Sequence, residues 1–182
     1  NVTGDADLTL SPTATGVDRL VTVNGVAQGN LYTPPSVDGT YEVVVTDTDQ
    51  AGNAATASLS FTRDTVAPEA PTAALSTDTG APADAITSDA GLAISDVPAG
   101  ATREVTVNGV SQGPDYTPPT VDDDYTVTIR DTDLAGNASE TTVTFTLDTT
   151  PPAPPTISLA NDTGDRDDDL LTADAGLALS PA

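Results

Sequence analysis

The chain has 182 residues, of which 28 are acidic and five are basic, and its formal net charge at pH 7 is −23. It contains no Cys, His, Met, Trp or Lys, which excludes disulfides, metal sites built on thiolate or imidazole, and catalytic triads of the usual kind. The charge also argues against nucleic acid and anionic membranes as partners, because both are bound through Lys and Arg. The acids comprise 24 Asp and four Glu, and this excess of a short oxygen ligand favours a bound cation.

Alternating apolar and polar residues argue against disorder, which low hydrophobicity and high net charge would otherwise suggest. In Glu104–Val107 and Tyr125–Ile129, apolar residues recur every second position, which is the period of a half-buried β-strand. No stretch has the apolar stripe of a helix, and no run approaches the roughly 18 apolar residues of a membrane span. The sequence therefore predicts an all-β protein without membrane insertion.

The predicted strands recur along the chain at a spacing of 84 residues. Val21–Val26 returns as Val105–Val110, and Thr46–Asn53 returns as Arg130–Asn137 with the same Asp-x-Asp-x-Ala-Gly-Asn ending. Self-similarity at a fixed period is the signature of a tandem array. We therefore expect one structural unit to be repeated, with the neighbouring repeats of the same chain as its first partners.

Two Pro-rich stretches, at 64–71 and 148–155, set the predicted domain boundaries because such segments are stiff, extended connectors. The chain starts without Met and begins and ends inside a repeat, so we expect it to be a window on a longer array. The predicted domains are an Ig-like repeat lacking its first strand at 1–67, a complete Ig-like repeat at 68–152, and the opening strands of a third repeat at 153–182.

The complete repeat has seven short strands in the order of an Ig-like antiparallel β-sandwich. Asn108-Gly109 predicts a tight type I′ hairpin turn, because that turn needs two positive φ values. Tyr125, like Tyr41 one repeat earlier, stands where a tyrosine corner forms, although a Tyr that only fills the core explains the same position. The predicted strands cover 71–76, 92–95, 103–107, one or two edge strands within 112–119, 125–131 and 141–147. We expect tandem sandwiches arranged end to end.

Acidic residues recur where consecutive domains would meet. The connector after one domain should bring Asp64 towards the Asp131, Asp133 and Asn137 turn of the next. Carboxylates, an amide oxygen and backbone carbonyls together offer six or seven hard oxygens, which suits Ca²⁺ better than Mg²⁺. By the repeat, Asp148 would take the role of Asp64, and a preceding unit would face Asp47, Asp49 and Asn53.

A second set of acids lies in the long loop after the first strand. Asp-x-Asp in a turn is often only Asx-turn capping, and acidic loops are often simply solvated. Calcium is favoured because the acids recur once per repeat, and because almost no Arg stands nearby to pair with them. This set contains Asp78, Asp84 and Asp89, matched in the third unit by Asp162, Asp169 and Asp174.

Two motifs resemble those of a known family. They are Asp-Thr-x-Ala-Pro-x-Ala-Pro-Thr, starting at Asp64, and Tyr-x-Val-x-Val-x-Asp-x-Asp-x-Ala-Gly-Asn, ending at Asn53. Both are similar to the bacterial Ig-like extender repeats of giant RTX-type adhesins and biofilm-associated surface proteins. The resemblance implies a type I-secreted, outer-membrane-anchored protein at the bacterial cell surface. It also implies that Ca²⁺ at the linkers stiffens the array and that the array projects a distal adhesive region. The short repeat and the Lys-free composition depart from the family.

Three functions compete on the sequence alone. The first is a structural spacer without a catalytic site. The second is a glycan- or protein-binding module, which needs exposed aromatic side chains for stacking on sugars. Only Tyr32 and Tyr116 are expected to be available for this, and both stand at the same repeat position. The third is a self-assembling filament or surface-layer subunit that associates with its own kind by strand donation, although an arbitrary window on an array explains the same incomplete ends. An enzyme is disfavoured because no acid–base pair stands in an apolar pocket.

Overall fold

The chain is all-β in the computed structural model, which describes residues 1–163, 166, 170 and 172–180. It divides into two compact units, Asn1–Leu147 and Asp148–Ala182. The first unit contains two sequence repeats with separate hydrophobic cores, called here repeat 1 (residues 1–67) and repeat 2 (residues 68–147). In the described part of the chain no helix has the length and apolar character to cross a membrane. The predicted division into three domains stays a prediction.

Repeat 1 forms one five-stranded sheet in the order β1-β5-β4-β2-β3. The short β1 runs parallel to β5, and the other pairs are antiparallel. One face of the sheet carries a small core of Val21, Val23, Val43 and Phe61, closed by Ala6. The strands are β1 Val2–Thr3, β2 Val17–Val23, β3 Val26–Gly29, β4 Gly39–Asp49 and β5 Ala54–Arg63.

Repeat 2 forms a sandwich of two sheets. Its strands are β6 Ala73–Leu75, β7 Ile86–Thr87, β8 Leu92–Ile94, β9 Thr102–Val107, β10 Val110–Gly113, β11 Asp123–Thr132 and β12 Ala138–Leu147. The larger sheet has the order β10-β9-β11-β12-β7, and β6 pairs with β8 in the smaller one. Residues of both sheets meet in the core, where Val127 and Ile129 of β11 are fully buried beneath Leu75 and Leu92. The predicted Ig-like β-sandwich is confirmed.

Two strand assignments of repeat 2 differ from the sequence prediction. The long loop contains β7, which pairs in parallel with the end of β12 and was not predicted. Thr87 of β7 is buried, and its hydroxyl donates to the carbonyls of Thr77 and Asp89, so the strand lacks the apolar alternation that marks the others. The expected edge strands within 112–119 reduce to β10, which ends at Gly113.

The tight turns and the tyrosines behave as their sequence positions predict. Asn108 and Gly109 both have positive φ, 48° and 78°, as a type I′ turn requires. The Tyr125 hydroxyl donates to the Val121 carbonyl at 2.8 Å, so the tyrosine corner forms. Its ring also packs on Phe145, with 5.6 Å between the ring centroids. This tyrosine therefore forms the corner and also fills the core. The matching tyrosine of repeat 1 makes the same two contacts.

The second unit, taken by itself, contains one antiparallel strand pair. β13 Thr156–Leu159 pairs with β14 Leu177–Ser180. These strands correspond to β6 and β8 of repeat 2, where the same pair lies on a larger sheet. Here Ile157 and Leu179 are 66% and 74% exposed, so one apolar face of the pair is open.

Candidate functional site

The turn after β11 is a closed network around Asp133. One carboxylate oxygen, Oδ1, accepts the backbone N–H groups of Ala135 and Asn137 at 2.8 and 2.9 Å. The other, Oδ2, accepts the side-chain amide of Asn137 at 2.9 Å. The Asn137 side chain is the main cause that lowers the pKa of Asp133, and the backbone donors add to it. This turn is therefore built to hold an ionised carboxylate and to fix the orientation of Asn137.

The oriented Asn137 holds the connector that leaves repeat 1. Its side-chain amide donates to the Asp64 carbonyl at 3.1 Å and to the Val66 carbonyl at 3.4 Å. Ser139 adds a bond from its hydroxyl to the Glu69 carbonyl at 3.2 Å. The backbone at Gly4 closes the same spot, since a Cβ there would lie 3.5 Å from the Asp64 carbonyl oxygen. Asp64 and Asn137, which the sequence argument paired, do lie together.

Asp131 does not share this junction, and the premise that arginine is too scarce to pair with it is wrong. Arg103 on β9 lies directly opposite in the sheet register and donates from Nε and Nη2 to the two carboxylate oxygens, at 2.8 and 2.7 Å. The Asp131 side chain is 0% exposed. Arg103 also donates to the Ser95 carbonyl at 2.6 Å, which ties the larger sheet to the end of β8. A cation at Asp131 would have to displace a buried bidentate arginine, so this carboxylate does not fit a metal site.

The same correction applies to Asp47 in repeat 1. Arg19 donates to its two oxygens at 2.7 and 2.6 Å and also bonds the Ser11 carbonyl. Because Arg19 is bound there, the pKa of Asp47 lies below its ordinary value. In both repeats the arginine precedes its aspartate by 28 residues on an adjacent strand. That recurring spacing was the sequence signal that could have revealed the pair.

The remaining junction residues keep local roles. Asp49 and Asn53 form the same closed turn as their counterparts in repeat 2, with Asn53 donating to Asp49 Oδ2 at 2.9 Å. Asp64 accepts the backbone N–H of Val66, and Asp148 accepts that of Thr150 in the same way. The connectors therefore begin with an Asx turn in both places where they occur.

The long loop of repeat 2 contains a carboxylate oxygen without a partner. Asp78 Oδ2 accepts the backbone N–H of Ala83 at 2.7 Å, but its Oδ1 is buried and makes no hydrogen bond. Asp84 and Asp89 cap the backbone N–H groups of Ile86 and Gly91. A buried anionic oxygen with no donor is costly, so this position lacks a positive or hydrogen-bonding group.

The second unit repeats this feature at the matching residue. Asp162 Oδ1 is likewise buried without a partner, and its Oδ2 accepts the backbone N–H of Leu170 at 3.2 Å. Asp174 is bound instead by the Asn161 side chain and the Gly176 backbone, and these bonds lower its pKa. Asp169, also predicted as a ligand, lies outside the described residues.

No ready-made cluster of acids exists in the part of the chain that the structure describes. Nowhere in it do three or more acidic side chains converge closely enough to hold a metal ion. Of the predicted ligands, the Asn137 side chain links the backbone carbonyl of Asp64 to the carboxylate of Asp133, and Asp78 and Asp162 each keep a buried oxygen without a hydrogen bond. Calcium binding stays a prediction.

The tyrosines that a sugar-binding function would need are engaged in contacts within the fold. Tyr116 and Tyr32 donate their hydroxyls at 2.7 Å to the carbonyls of Ala90 and Ala6. Tyr116 packs against the core of repeat 2, and burial is the main cause that raises its pKa to about 12. Their rings are therefore structural parts of the two repeats.

The chain has distant likenesses among known structures. No protein-family model matches it, and neither does any curated protein. It is similar to the fibronectin(III)-like modules of Clostridium thermocellum CbhA, at 13% identity and a TM-score of 0.46, over 77% of this chain and 82% of that chain. It is also similar to the Bacteroides ovatus mixed-linkage glucan utilization locus protein SGBP-B in complex with a mixed-linkage heptasaccharide, at 15% identity and a TM-score of 0.30. That match covers 81% of this chain and 42% of that chain. Sequence identities and TM-scores this low carry no argument about the function of this chain.

Proposed function

We propose that the chain is a structural spacer, a segment of a tandem β-sandwich array that holds a distal adhesive region away from a bacterial cell. The observation that carries the proposal is the repeat junction. Asn137 of repeat 2 bonds two connector carbonyls from repeat 1, and Ser139 bonds a third. A contact of this kind restrains the connector between two repeats without creating a pocket or a catalytic group.

Calcium is part of the proposal at two kinds of position. Asp78 and Asp162 fit a cation because each presents a buried carboxylate oxygen without a hydrogen-bond donor. At the junction, the carboxylate of Asp64 would be the ligand, since the carbonyls of Asp64 and Val66 already accept the Asn137 amide. Bound Ca²⁺ would supply positive charge to a chain of formal charge −23 and so relieve repulsion among its carboxylates.

An extracellular location follows from the same proposal. A type I-secreted, outer-membrane-anchored surface protein meets free calcium outside the cell, and affinities of extracellular calcium modules in the millimolar range suffice there. The absence of Cys from the sequence means that ions and packing, and no disulfide, would stabilise the array in that compartment.

The junction is tested by comparing Asn137→Ala with Asn53→Ala. Both substitutions remove the amide that closes an Asp turn, but among the described contacts only Asn137 also holds the connector. We expect small-angle scattering, or energy transfer between dyes on the two repeats, to show a broader range of inter-repeat distances for Asn137→Ala only. If both variants match the parent chain, the junction does not restrain the repeats and the spacer proposal loses its support.

Calcium is tested by calorimetric titration and by scattering in calcium and in a chelator. The variant Asp78→Asn with Asp162→Asn should lose binding sites, whereas Asp115→Asn, at an exposed carboxylate outside the predicted sets, should retain them. The parent chain should bind Ca²⁺ and become more uniform in its inter-repeat distances. Absence of binding at millimolar Ca²⁺, or identical scattering in chelator, would remove calcium from the proposal and leave the junction standing.

A further inference from the structure

The connector between the two repeats begins with three residues, Asp64, Thr65 and Val66, that form hydrogen bonds on both sides. The Asp64 N–H donates to the Thr3 carbonyl of β1 at 3.0 Å, and the Val66 N–H donates to the Asp64 carboxylate at 3.1 Å. The two carbonyls that flank Thr65 accept the Asn137 amide of repeat 2 instead. This tripeptide therefore lies between the repeats and is bonded to both of them.

Asp38, directly before β4, supplies the remaining bonds on the side of repeat 1. Its carboxylate oxygen Oδ2 accepts the backbone N–H of Thr65 at 3.0 Å and the Thr65 hydroxyl at 2.9 Å. Arg63, the last residue of β5, donates to the other oxygen and so fixes the carboxylate in place. All three backbone N–H groups of the tripeptide are thus bound within repeat 1, whereas two of its three carbonyls are bound by repeat 2.

These bonds favour the ionised form of Asp38. The backbone N–H of Thr65 is the main cause that lowers the pKa of Asp38, the Thr65 hydroxyl adds to it, and Arg63 contributes less. The carboxylate is therefore charged at neutral pH, and hydrogen bonds to a charged acceptor are stronger than those between neutral groups. Asp38 holds the connector in the same manner as a carboxylate that caps a turn, but its partner is the segment that leads to the next repeat.

We propose that Asp38 is a positioning residue of the junction, which anchors the connector to repeat 1 and acts in series with Asn137, its anchor on repeat 2. Asp38 fixes Thr65, and the carbonyls on either side of Thr65 are thereby presented to Asn137. A restraint that passes through one short segment is lost when either end of the segment is released. This inference rests on the proposed spacer function, because it names the second residue that restrains the same junction.

The anchor also gives a role to the Asp-Thr pair with which both Pro-rich connectors begin. In the first connector, Thr65 supplies the N–H and the hydroxyl that Asp38 accepts. The sequence carries an Asp and an Asp-Thr pair at the matching positions one repeat later, Asp122 and Asp148-Thr149. The residues that the first junction uses are therefore part of the repeated pattern, and the anchor requires no calcium.

The test measures distances between the repeats in variants of the full chain. The chain has no Cys, so Ser60→Cys and Thr144→Cys, at matching exposed positions of β5 and β12, can carry the two dyes of an energy-transfer pair. In this background Asp38→Ala removes the anchor, and Thr65→Val removes only the hydroxyl that the anchor binds. The matched controls are Asp18→Ala, at an exposed aspartate on β2 of the same repeat, and Thr65→Ser, which keeps the hydroxyl.

We expect Asp38→Ala to broaden the distribution of inter-repeat distances as far as Asn137→Ala does, and Thr65→Val to broaden it to a smaller extent. The double variant of Asp38→Ala with Asn137→Ala should be no broader than either single variant, because two anchors in series are not additive. Both controls should keep the distribution of the parent chain. A carboxylate that served only the folding of repeat 1 would lower the urea midpoint of unfolding without changing these distances.

The inference is overturned if Asp38→Ala leaves the distance distribution unchanged, or if the double variant is broader than both single variants. An unchanged distribution in Asp38→Ala together with a broadened one in Asn137→Ala leaves the spacer proposal standing, whereas unchanged distributions in both remove that proposal as well. If circular dichroism shows that Asp38→Ala does not fold, Thr65→Val decides the question at an exposed residue of the connector. A distribution as narrow as that of Thr65→Ser would then overturn the inference.

Discussion

At the scale of single residues, the acids of this chain divide by their partners. Asp131 accepts two hydrogen bonds from a buried arginine. Asp133 accepts three hydrogen bonds from donors of its own turn. Asp78 has one buried oxygen that accepts no hydrogen bond. The same residue type thus acts as an inter-strand clamp, a turn cap and a candidate cation ligand. Which of these roles an Asp takes depends on the donors around it, because a buried carboxylate needs each of its oxygens satisfied.

The buried clamp predicts an asymmetry between the repeats. Asp131→Ala leaves the Arg103 guanidinium buried without its counter-charge, and such a loss costs about 3 to 5 kcal/mol of unfolding free energy. Asp47→Ala should cost less, because the Asp47 side chain is 31% exposed and water already reaches it, whereas the two arginines are equally buried. Urea unfolding of both variants measures the difference.

A double variant provides the control for that prediction. Arg103→Met with Asp131→Leu replaces the pair by apolar groups, and it should recover most of the stability that Asp131→Ala loses. Equal losses of stability for Asp131→Ala and Asp47→Ala would contradict the predicted asymmetry, since the two pairs differ chiefly in the exposure of the aspartate.

At the scale of elements, the turn that joins β11 to β12 is a preformed docking surface. Its Asp cap fixes the Asn137 side chain, and Asn137 then meets the connector. The turn between β4 and β5 has the same internal bonds around Asp49 and Asn53. Identical turns therefore stand at the same end of each repeat, and the connector of a neighbouring unit decides whether the turn acts as a junction.

The turn also predicts a dependence on pH. The pKa of Asp133 is lowered in the folded chain, mainly by the Asn137 side chain. Its contribution to stability is therefore present above the unfolded value of about 3.9 and is lost as the pH falls through the lowered folded value. Urea unfolding should show Asp133→Asn as less stable than the parent at neutral pH, with the difference shrinking towards about pH 2. A difference that stays constant over this range would assign the loss to shape and not to charge.

At the scale of the whole molecule, two repeats of one sequence pattern carry unequal cores. Repeat 2 closes its larger sheet with β6 and β8, whereas repeat 1 leaves a groove at that face. The buried set of repeat 2 accordingly includes Ile129 and Leu147, while the matching Val45 is only partly buried. Local stability follows buried apolar contact, so the repeats should open separately.

Hydrogen exchange measures this inequality. Backbone amides at Val43 to Val45 in β4 should exchange at least about tenfold faster than those at Val127 to Ile129 in β11, since tenfold corresponds to about 1.4 kcal/mol of opening free energy. The two stretches lie in central strands with the same register, so they differ mainly in whether a second sheet packs over them. Equal protection at low protein concentration would show that β6 contributes little to the stability of repeat 2.

Much of the fold could be predicted from local pattern. Alternation located the long strands, Asn108-Gly109 specified its turn, and the two Pro-rich stretches located the connectors. Strand β7 was not predicted because it has only two residues, one of them a buried Thr, and so shows no apolar alternation. The candidate site was predicted less completely, because the partner of Asp131 lies 28 residues away on another strand, whereas the partners of Asp133 belong to its own turn.

The sequence by itself determined that this protein is an all-β tandem array, because period-two alternation and an 84-residue recurrence are local properties that each segment carries with it. Only the tertiary structure decided what the acids do. Registry between β9 and β11 placed Arg103 opposite Asp131 and removed that carboxylate from the candidate ligands, and the connector brought Asp64 to Asn137 from 73 residues away. Charge and hydrogen bonding act over a few ångströms in space, whereas the sequence records only distance along the chain.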